Sequence, residues 1–146
     1  MHDFLVLRVM SKLLLPFILM FALYVQFHGD FGPGGGFQAG VIFAAGFILY
    51  SLIYGTTNAE AVLPRGILRF GISAGLLLYG GVGVYDLLAG GNYLDYSVMA
   101  HDPVHGQHLG ITLIELGVGI TVASVMVTIF YTFASRARGR SPARDE

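Results

Sequence analysis

Four long stretches of the chain are apolar on every side of a helix, and the polar residues gather between them. The apolar stretches cover about residues 10–27, 37–54, 67–88 and 109–133. Each is close to the roughly 20 residues that a helix needs to cross a bilayer. The helices of a soluble bundle would each carry a polar stripe. The pattern therefore predicts an all-α integral membrane protein, in which residues 1–134 form one domain of four transmembrane helices.

The first stretch has the outline of a signal peptide, because Arg8 and Lys12 precede an apolar run. No small-x-small cleavage site follows it, and three further apolar stretches come after it. We interpret it as a retained first helix. Pro16 lies within it, and proline is tolerated in membrane helices, where it commonly produces a kink.

The basic residues indicate the orientation of the helices. They are Arg8, Lys12, Arg65, Arg69, Arg136, Arg138, Arg140 and Arg144. All of them lie before or at the start of the first span, between the second and third or at the start of the third, or after the fourth, whereas connections 28–36 and 89–108 have none. The positive-inside rule then predicts that both termini are cytoplasmic. Residues 135–146 are expected to form a basic cytoplasmic tail that is disordered or faces lipid.

Composition supports a lipid environment and narrows the function. Hydrophobic residues make up 55% of the 146 residues and charged residues 12%, against about 25% charged in soluble domains. The net charge of −1 argues against a nucleic-acid partner, which would need clustered Lys and Arg. The absence of cysteine excludes thiolate-held metal clusters and disulfides. We expect no cofactor.

Small residues in the apolar stretches predict where helices pack. Lipid tails are as apolar as leucine, so membrane helices associate by close backbone approach, which small residues permit. The candidate packing residues are Gly40 in the second span, Gly71 and Gly75 in the third, and Gly117 in the fourth. The third span has small residues on more than one face, which indicates neighbours in this chain or in other subunits.

One carboxylate lies well inside a predicted span, away from its ends. Glu115 is flanked by Ile114 and Leu116, and an ionised carboxylate near the middle of a membrane costs roughly 2.5–3.5 kcal/mol on insertion scales. We interpret Glu115 as a candidate ion ligand or proton relay. The structural alternative is a protonated glutamate that hydrogen-bonds to a neighbouring group. His108 lies seven residues earlier and projects from nearly the same helix face.

Other ionisable groups cluster in or near the two outer connections. His28 and Asp86 are further candidates for an ion or proton path, although Asp86 lies near a predicted helix end, where access to water is the simpler interpretation. Residues 101–108 contain ligand types that suit zinc, but no catalytic signature accompanies them, so we predict no metal site. No nucleophile–base constellation is recognisable, and we do not predict an enzyme.

The connection between the first two spans contains Pro33, Gly34, Gly35 and Gly36. It lacks the Gly-Lys-Ser/Thr ending of a phosphate-binding loop. Proline fixes one backbone angle and glycine accepts positive φ, so the motif is typical of a tight re-entry into the membrane. Glycines at a helix start also expose backbone N–H groups that attract an anion or a carboxylate.

Two segments of the chain resemble a known family. Residues 28–40 read HGDFGPGGGFQAG and follow LPF at 15–17, while residues 114–118 read IELGV with Glu115 as the acidic residue. Both are similar to the B subunit of Mrp-type sodium/proton antiporters, and the four-span layout agrees over nearly the whole chain. Related segments occur in the large A subunit and in related ion-translocating hydrogenase complexes.

The resemblance implies a small, multi-pass subunit of a bacterial cell-membrane complex that exchanges Na⁺ for H⁺. Its partners would be large complex-I-like subunits, other small membrane subunits and lipid. Our hypothesis is that Glu115, with His108 and His28, contributes to a proton or cation path at a subunit contact.

Four alternatives to that function remain open at this point. The chain could belong to a related hydrogenase complex, or it could be an electron-transfer anchor that holds haem between His28 and His108. It could also be a self-sufficient proton-coupled transporter that uses Glu115, or a scaffold that only seals contacts between larger subunits.

Overall fold

A computed structural model describes residues 5–29 and 34–139 of the chain. Over these residues the chain forms five α-helices and a short 3₁₀ helix, Tyr96–Met99. The α-helices are α1 (Leu5–Phe27), α2 (Gly36–Tyr54), α3 (Thr56–Val62), α4 (Arg65–Leu88) and α5 (Pro103–Gly139). Pro33 and residues 140–146 of the predicted tail lie outside the described residues.

Helices α1, α2, α4 and α5 are each long and apolar enough to cross a membrane. The prediction of an all-α, multi-pass membrane fold with four spanning helices is confirmed. The structure contains no membrane that would define the orientation, so the cytoplasmic location of both termini stays a prediction. The sequence pattern had not indicated α3 or the 3₁₀ helix, which are short elements in the connections.

Helix α5 is longer than the apolar stretch within it. It has 37 residues, or about 55 Å at 1.5 Å per residue, against about 30 Å for the hydrocarbon core of a bilayer. It begins at Pro103, since proline suits the first helical position and the Asp102 carboxylate accepts a hydrogen bond of 3.1 Å from the Val104 N–H. At its other end, residues 135–139 are helical.

The four spanning helices form a row in the order α1, α2, α5, α4. Helix α1 packs on α2, and α5 lies between α2 and α4. Among the described residues no substantial packing joins α1 to α4, so the row is open. Large apolar side chains on the outer face of α1 are consequently exposed, among them Phe17, Met20 and Phe27.

Glycines line both seams of α5. On the α2 side, a Cβ at Gly40 would lie 2.7 Å from the carbonyl oxygen of Gly119. On the α4 side, a Cβ at Gly117 would lie 2.9 Å from the carbonyl oxygen of Gly75, and one at Gly71 would overlap the hydroxyl of Ser124. A larger residue at any of these positions would separate the backbones.

One end of the row is defined by the starts of α1 and α4 and the end of α5, and we call it the basic end. Its small core is formed by Ala44, Ala59, Leu68, Val127 and Tyr131. Two polar contacts tie its connections together: the Tyr54 hydroxyl donates to the carbonyl of Arg8 at 2.9 Å, and Arg65 pairs with Glu60 at 2.9 Å.

The opposite end carries residues 89–102, which fold over the row between α4 and α5. The Asp95 carboxylate accepts hydrogen bonds from the hydroxyl and the backbone N–H of Ser97 and so caps the 3₁₀ helix. The ring of Tyr93 packs where Gly83 leaves room, and the ring of Tyr96 packs against Gly110. This loop therefore lies directly on the helices.

Candidate functional site

The carboxylate of Glu115 lies against the connection between α1 and α2. A Cβ at Gly29 would be 2.7 Å from both of its carboxylate oxygens, and one at Gly35 would be 3.0 Å from Oε1. A Cβ at Gly36 would overlap the backbone carbonyl of Glu115. The Glu115 residue is half-buried. We call these four residues, Gly29, Gly35, Gly36 and Glu115, the glycine–glutamate site.

The local backbone explains why glycine occupies this site. Gly35 has φ of 114°, in the left-handed region that favours glycine. Its N–H donates to the carbonyl of Val25 at 3.2 Å, which folds the connection back onto α1. Helix α2 begins at Gly36, and the positive end of a helix dipole favours a nearby carboxylate. The carboxylate next to this glycine-rich helix start comes from α5 of the same chain.

The two candidate histidines have different environments. The ring of His28 stacks on Tyr24 with centroids 4.9 Å apart, and the next residue, Gly29, contacts Glu115. His108 is exposed. Because α5 is continuous from Pro103, His108 and Glu115 keep nearly the same helix face. His28 therefore lies next to the residue that contacts Glu115, and His108 lies about two helical turns before Glu115 on α5.

Asp86 forms a second, separate acidic site. The residue is 0% exposed, and neither carboxylate oxygen has a hydrogen-bond partner among the described residues. The interpretation that Asp86 reaches water near a helix end is therefore wrong, because residues 89–102 cover it. An ionised carboxylate buried without donors is strongly unfavourable, so this site favours a protonated or cation-bound aspartate.

Tyrosines surround this second site, and we call Asp86, Tyr93 and Tyr96 the aspartate–tyrosine site. Burial raises the pKa of Tyr96 above its ordinary value. The raised pKa means that Tyr96 stays a neutral hydroxyl at all physiological pH values. The neutral tyrosine side chains near Asp86 carry no positive charge that would stabilise its ionised form.

Sequence reasoning missed two contributors to the first site. Gly29 was read only as part of a motif, yet it contacts both carboxylate oxygens of Glu115. Gln26 is 8% exposed, and a Cβ at Gly119 would overlap its side-chain oxygen, so its amide packs between α1 and α5. The sequence offered one sign of Gln26, because it is an amide side chain within an apolar span.

Comparison with known proteins gives a consistent result over most of the chain. The family model described as "Domain related to MnhB subunit of Na+/H+ antiporter" matches residues 6–128. A relative from Staphylococcus haemolyticus, named as a proposed antiporter subunit mnhB2, is 35% identical over 127 residues, which cover 85% of this chain and 89% of the relative. A relative of the same name from Staphylococcus aureus strain Newman is 36% identical over 141 residues, which cover 93% and 96%.

These matches extend through α1, α2 and α4 and into the last third of α5, and so include both acidic sites. They do not favour the haem anchor or the self-sufficient transporter, and they indicate a component of a transport system in place of an enzyme. The chain belongs to the family of domains related to the MnhB subunit of Na⁺/H⁺ antiporters.

Proposed function

We propose that this chain is a small membrane subunit of a hetero-oligomeric Na⁺/H⁺ antiporter in the bacterial cell membrane, and that Glu115 carries a proton or cation in the exchange. The names of the relatives support the antiporter. The observation that supports the role of Glu115 is its position, because its carboxylate lies within a spanning helix and contacts the glycines of the connection between α1 and α2. Carboxylates within spanning segments are rare and commonly mark ion pathways.

The glycine–glutamate site suits a group that changes its charge. The start of α2 favours the carboxylate anion, while partial burial in an apolar bundle favours the neutral acid. Opposing influences of this kind leave both states accessible at a modest cost. The carboxylate oxygens of Glu115 lie against Gly29 and Gly35 of the connection between α1 and α2, and a proton or a cation would reach them from that side. His108 and His28 are the titratable groups of the proposed route on the outer side.

The open row of helices supports assembly with other subunits. Exposed apolar residues cover the outer faces of α1 and α4, for example Phe17, Met20, Phe70 and Leu77. Gly80 and Gly81 of α4 also have no heavy atom within 4 Å of an added Cβ, which leaves a smooth strip for close helix contact. Other subunits of the complex and lipid would share these faces. The basic end would face the cytoplasm, together with both termini.

The test is antiport by a complex that carries Glu115→Gln, which keeps the size of the side chain and removes its charge. We expect Na⁺-induced proton movement in everted vesicles to fall to the level of vesicles without the complex, with the complex still assembled. The matched control is Glu60→Gln, because Glu60 forms an exposed ion pair of a kind worth only about 0–1 kcal/mol. The control should keep wild-type antiport.

Two results would contradict the proposed role of Glu115. Full antiport and full sodium tolerance in Glu115→Gln would exclude it from the ion path. A lower amount of complex with an unchanged rate per complex would make Glu115 a structural contact and the chain a scaffold between larger subunits. Mass spectrometry of the proteins that co-purify with the chain tests the complex itself, and recovery of the chain alone would overturn the subunit assignment.

A further inference from the structure

A small polar pocket lies at the basic end, between the start of α4 and the end of α5. It has a volume of about 130 Å³ and is lined by Arg65, Arg69, Thr128, Tyr131 and Thr132. Two guanidinium groups one helical turn apart on the same helix face this pocket, and the Glu60 carboxylate offsets part of the charge of Arg65. Its position is remote in sequence and in the fold from both acidic sites, so the proposed antiport does not use it.

Tyr131 provides an independent sign of a ligand. It is 2% exposed, lines the pocket, and its hydroxyl has no hydrogen-bond partner among the described residues. A buried hydroxyl without a partner is unfavourable. An anion in the pocket would accept this hydrogen bond. The hydroxyls of Thr128 and Thr132 already donate to backbone carbonyls at 2.7 and 2.8 Å, so their hydrogens are committed.

Both arginines have guanidinium N–H groups that are available to a further partner. Arg65 uses one guanidinium nitrogen for Glu60, at 2.9 Å, and its side chain is 46% exposed. A guanidinium has five N–H donors, so most of them remain for a second partner. Arg69 has no ion pair within the described ranges 5–29 and 34–139. Paired arginines match the geometry of phosphate oxygens better than lysines do.

The surroundings of the pocket indicate where a phosphate would come from. Phe70 follows Arg69 and is 73% exposed, and Phe133 follows Thr132 and is 66% exposed. Exposed aromatic rings beside a cationic pocket at a helix end suit a molecule with an anionic head and apolar tails. Basic pockets between membrane helices on the cytoplasmic side are typical sites for anionic lipid headgroups.

We propose that Arg65, Arg69 and Tyr131 bind the phosphate group of an anionic phospholipid at the basic end of the protein. The guanidinium groups contact the phosphate oxygens, the Tyr131 hydroxyl donates a further hydrogen bond, and the acyl chains lie along the exposed faces of α4 and α5. A lipid held in this way joins α4 and α5 at the basic end of the row.

The experiment is native mass spectrometry of the full-length chain in mild detergent, titrated with phosphatidylglycerol and, separately, with zwitterionic phosphatidylcholine. We expect one phosphatidylglycerol to be retained in preference to phosphatidylcholine. Arg69→Gln removes charge-assisted hydrogen bonds and should weaken retention about tenfold. Tyr131→Phe removes one neutral hydrogen bond and should weaken it about threefold. Arg136→Gln is the matched control, because Arg136 lies at the same end but outside the pocket, and it should have no effect.

Circular dichroism of each variant shows whether the helices are intact, so that lost retention is not mistaken for unfolding. Equal weakening of phosphatidylglycerol retention by Arg69→Gln and Arg136→Gln would overturn the proposed site. It would show that the lipid is attracted to positive charge in general. Displacement of phosphatidylglycerol by millimolar inorganic phosphate would assign the pocket to a free anion and overturn the lipid. Absence of lipid from the assembled complex, with Arg69→Gln lowering the recovery of other subunits, would make the pocket a protein contact instead.

Discussion

Glu115 and Asp86 are both acidic residues on spanning helices, yet the fold treats them in opposite ways. Glu115 is half-buried and lies on backbone glycines at the start of α2. Asp86 is completely buried, and its oxygens have no hydrogen-bond donor among the residues that the structure describes. The first site can stabilise a negative charge, and the second penalises one.

The difference shows that a carboxylate in a membrane helix has no fixed role. Backbone N–H groups and a helix dipole stabilise an ionised carboxylate. Burial beside neutral tyrosines favours a carboxyl group that is protonated or bound to a cation. The contrast supports the proposal that Glu115, and not Asp86, is the carboxylate that changes its charge during exchange.

The largest effect should come from adding a methyl group to the glycine–glutamate site. In Gly36→Ala the new Cβ would overlap the backbone carbonyl of Glu115, and such overpacking costs about 1–3 kcal/mol. We expect less folded protein after heating in detergent, measured by the helical circular dichroism signal, and lower antiport. The site would not depend on close backbone contact if Gly36→Ala behaved like the wild type.

The matched control for that change is Gly81→Ala. Gly81 is also helical, but nothing lies within 4 Å of an added Cβ. Alanine is favoured over glycine in a helix by up to about 1 kcal/mol. The control should therefore be neutral or slightly stabilising in the isolated chain. A loss of complex assembly in Gly81→Ala would show instead that this strip of α4 contacts another subunit.

A smaller effect should separate the two carboxylates directly. Glu115→Gln removes a charge at the start of α2, and we expect a loss of about 0.3–1 kcal/mol in the free energy of unfolding. Asp86→Asn removes no hydrogen bond to any described residue and removes the cost of burying an ionisable carboxyl group, so stability at neutral pH should be unchanged or higher. Thermal unfolding of the two variants in one detergent measures the difference. The comparison would fail if Asp86→Asn were the more destabilising change.

The smallest effect concerns the pH dependence of the loop over Asp86. Hydrogen bonds from the hydroxyl and the backbone N–H of Ser97 lower the pKa of Asp95, below the ordinary value of about 3.9. Because the pKa is lowered in the folded state, the stabilisation is complete above the ordinary value and is lost as pH falls through the lowered one. We expect amide hydrogen exchange in residues 96–99, corrected for intrinsic rates, to increase only below about pH 4.

Asp95→Asn is the matched control for this prediction, because asparagine also caps a helix start but does not titrate. Exchange in the same residues should then be independent of pH over that interval. A pH dependence that persisted in Asp95→Asn would locate the titrating group elsewhere, for example at Asp102, which caps α5.

The apolar pattern alone was sufficient to predict the four spanning helices, because a lipid environment demands long, uniformly apolar helices whose backbone groups are satisfied internally. It also singled out Glu115, because a carboxylate between isoleucine and leucine is costly in a membrane. It could not identify what covers the exposed apolar faces of α1 and α4, because a uniformly apolar face suits lipid and another helix equally well.

Only the tertiary structure decided what surrounds each carboxylate. Nothing in the local sequence shows that Gly29 and Gly35 contact Glu115, or that residues 89–102 cover Asp86. The same holds for the pocket between Arg69 and Tyr131. Hydropathy and charge are properties of one segment and of its interaction with water or lipid, so the sequence determines which segments enter the membrane. The contacts between distant segments depend on how helices approach one another, and that approach is a property of the packed chain.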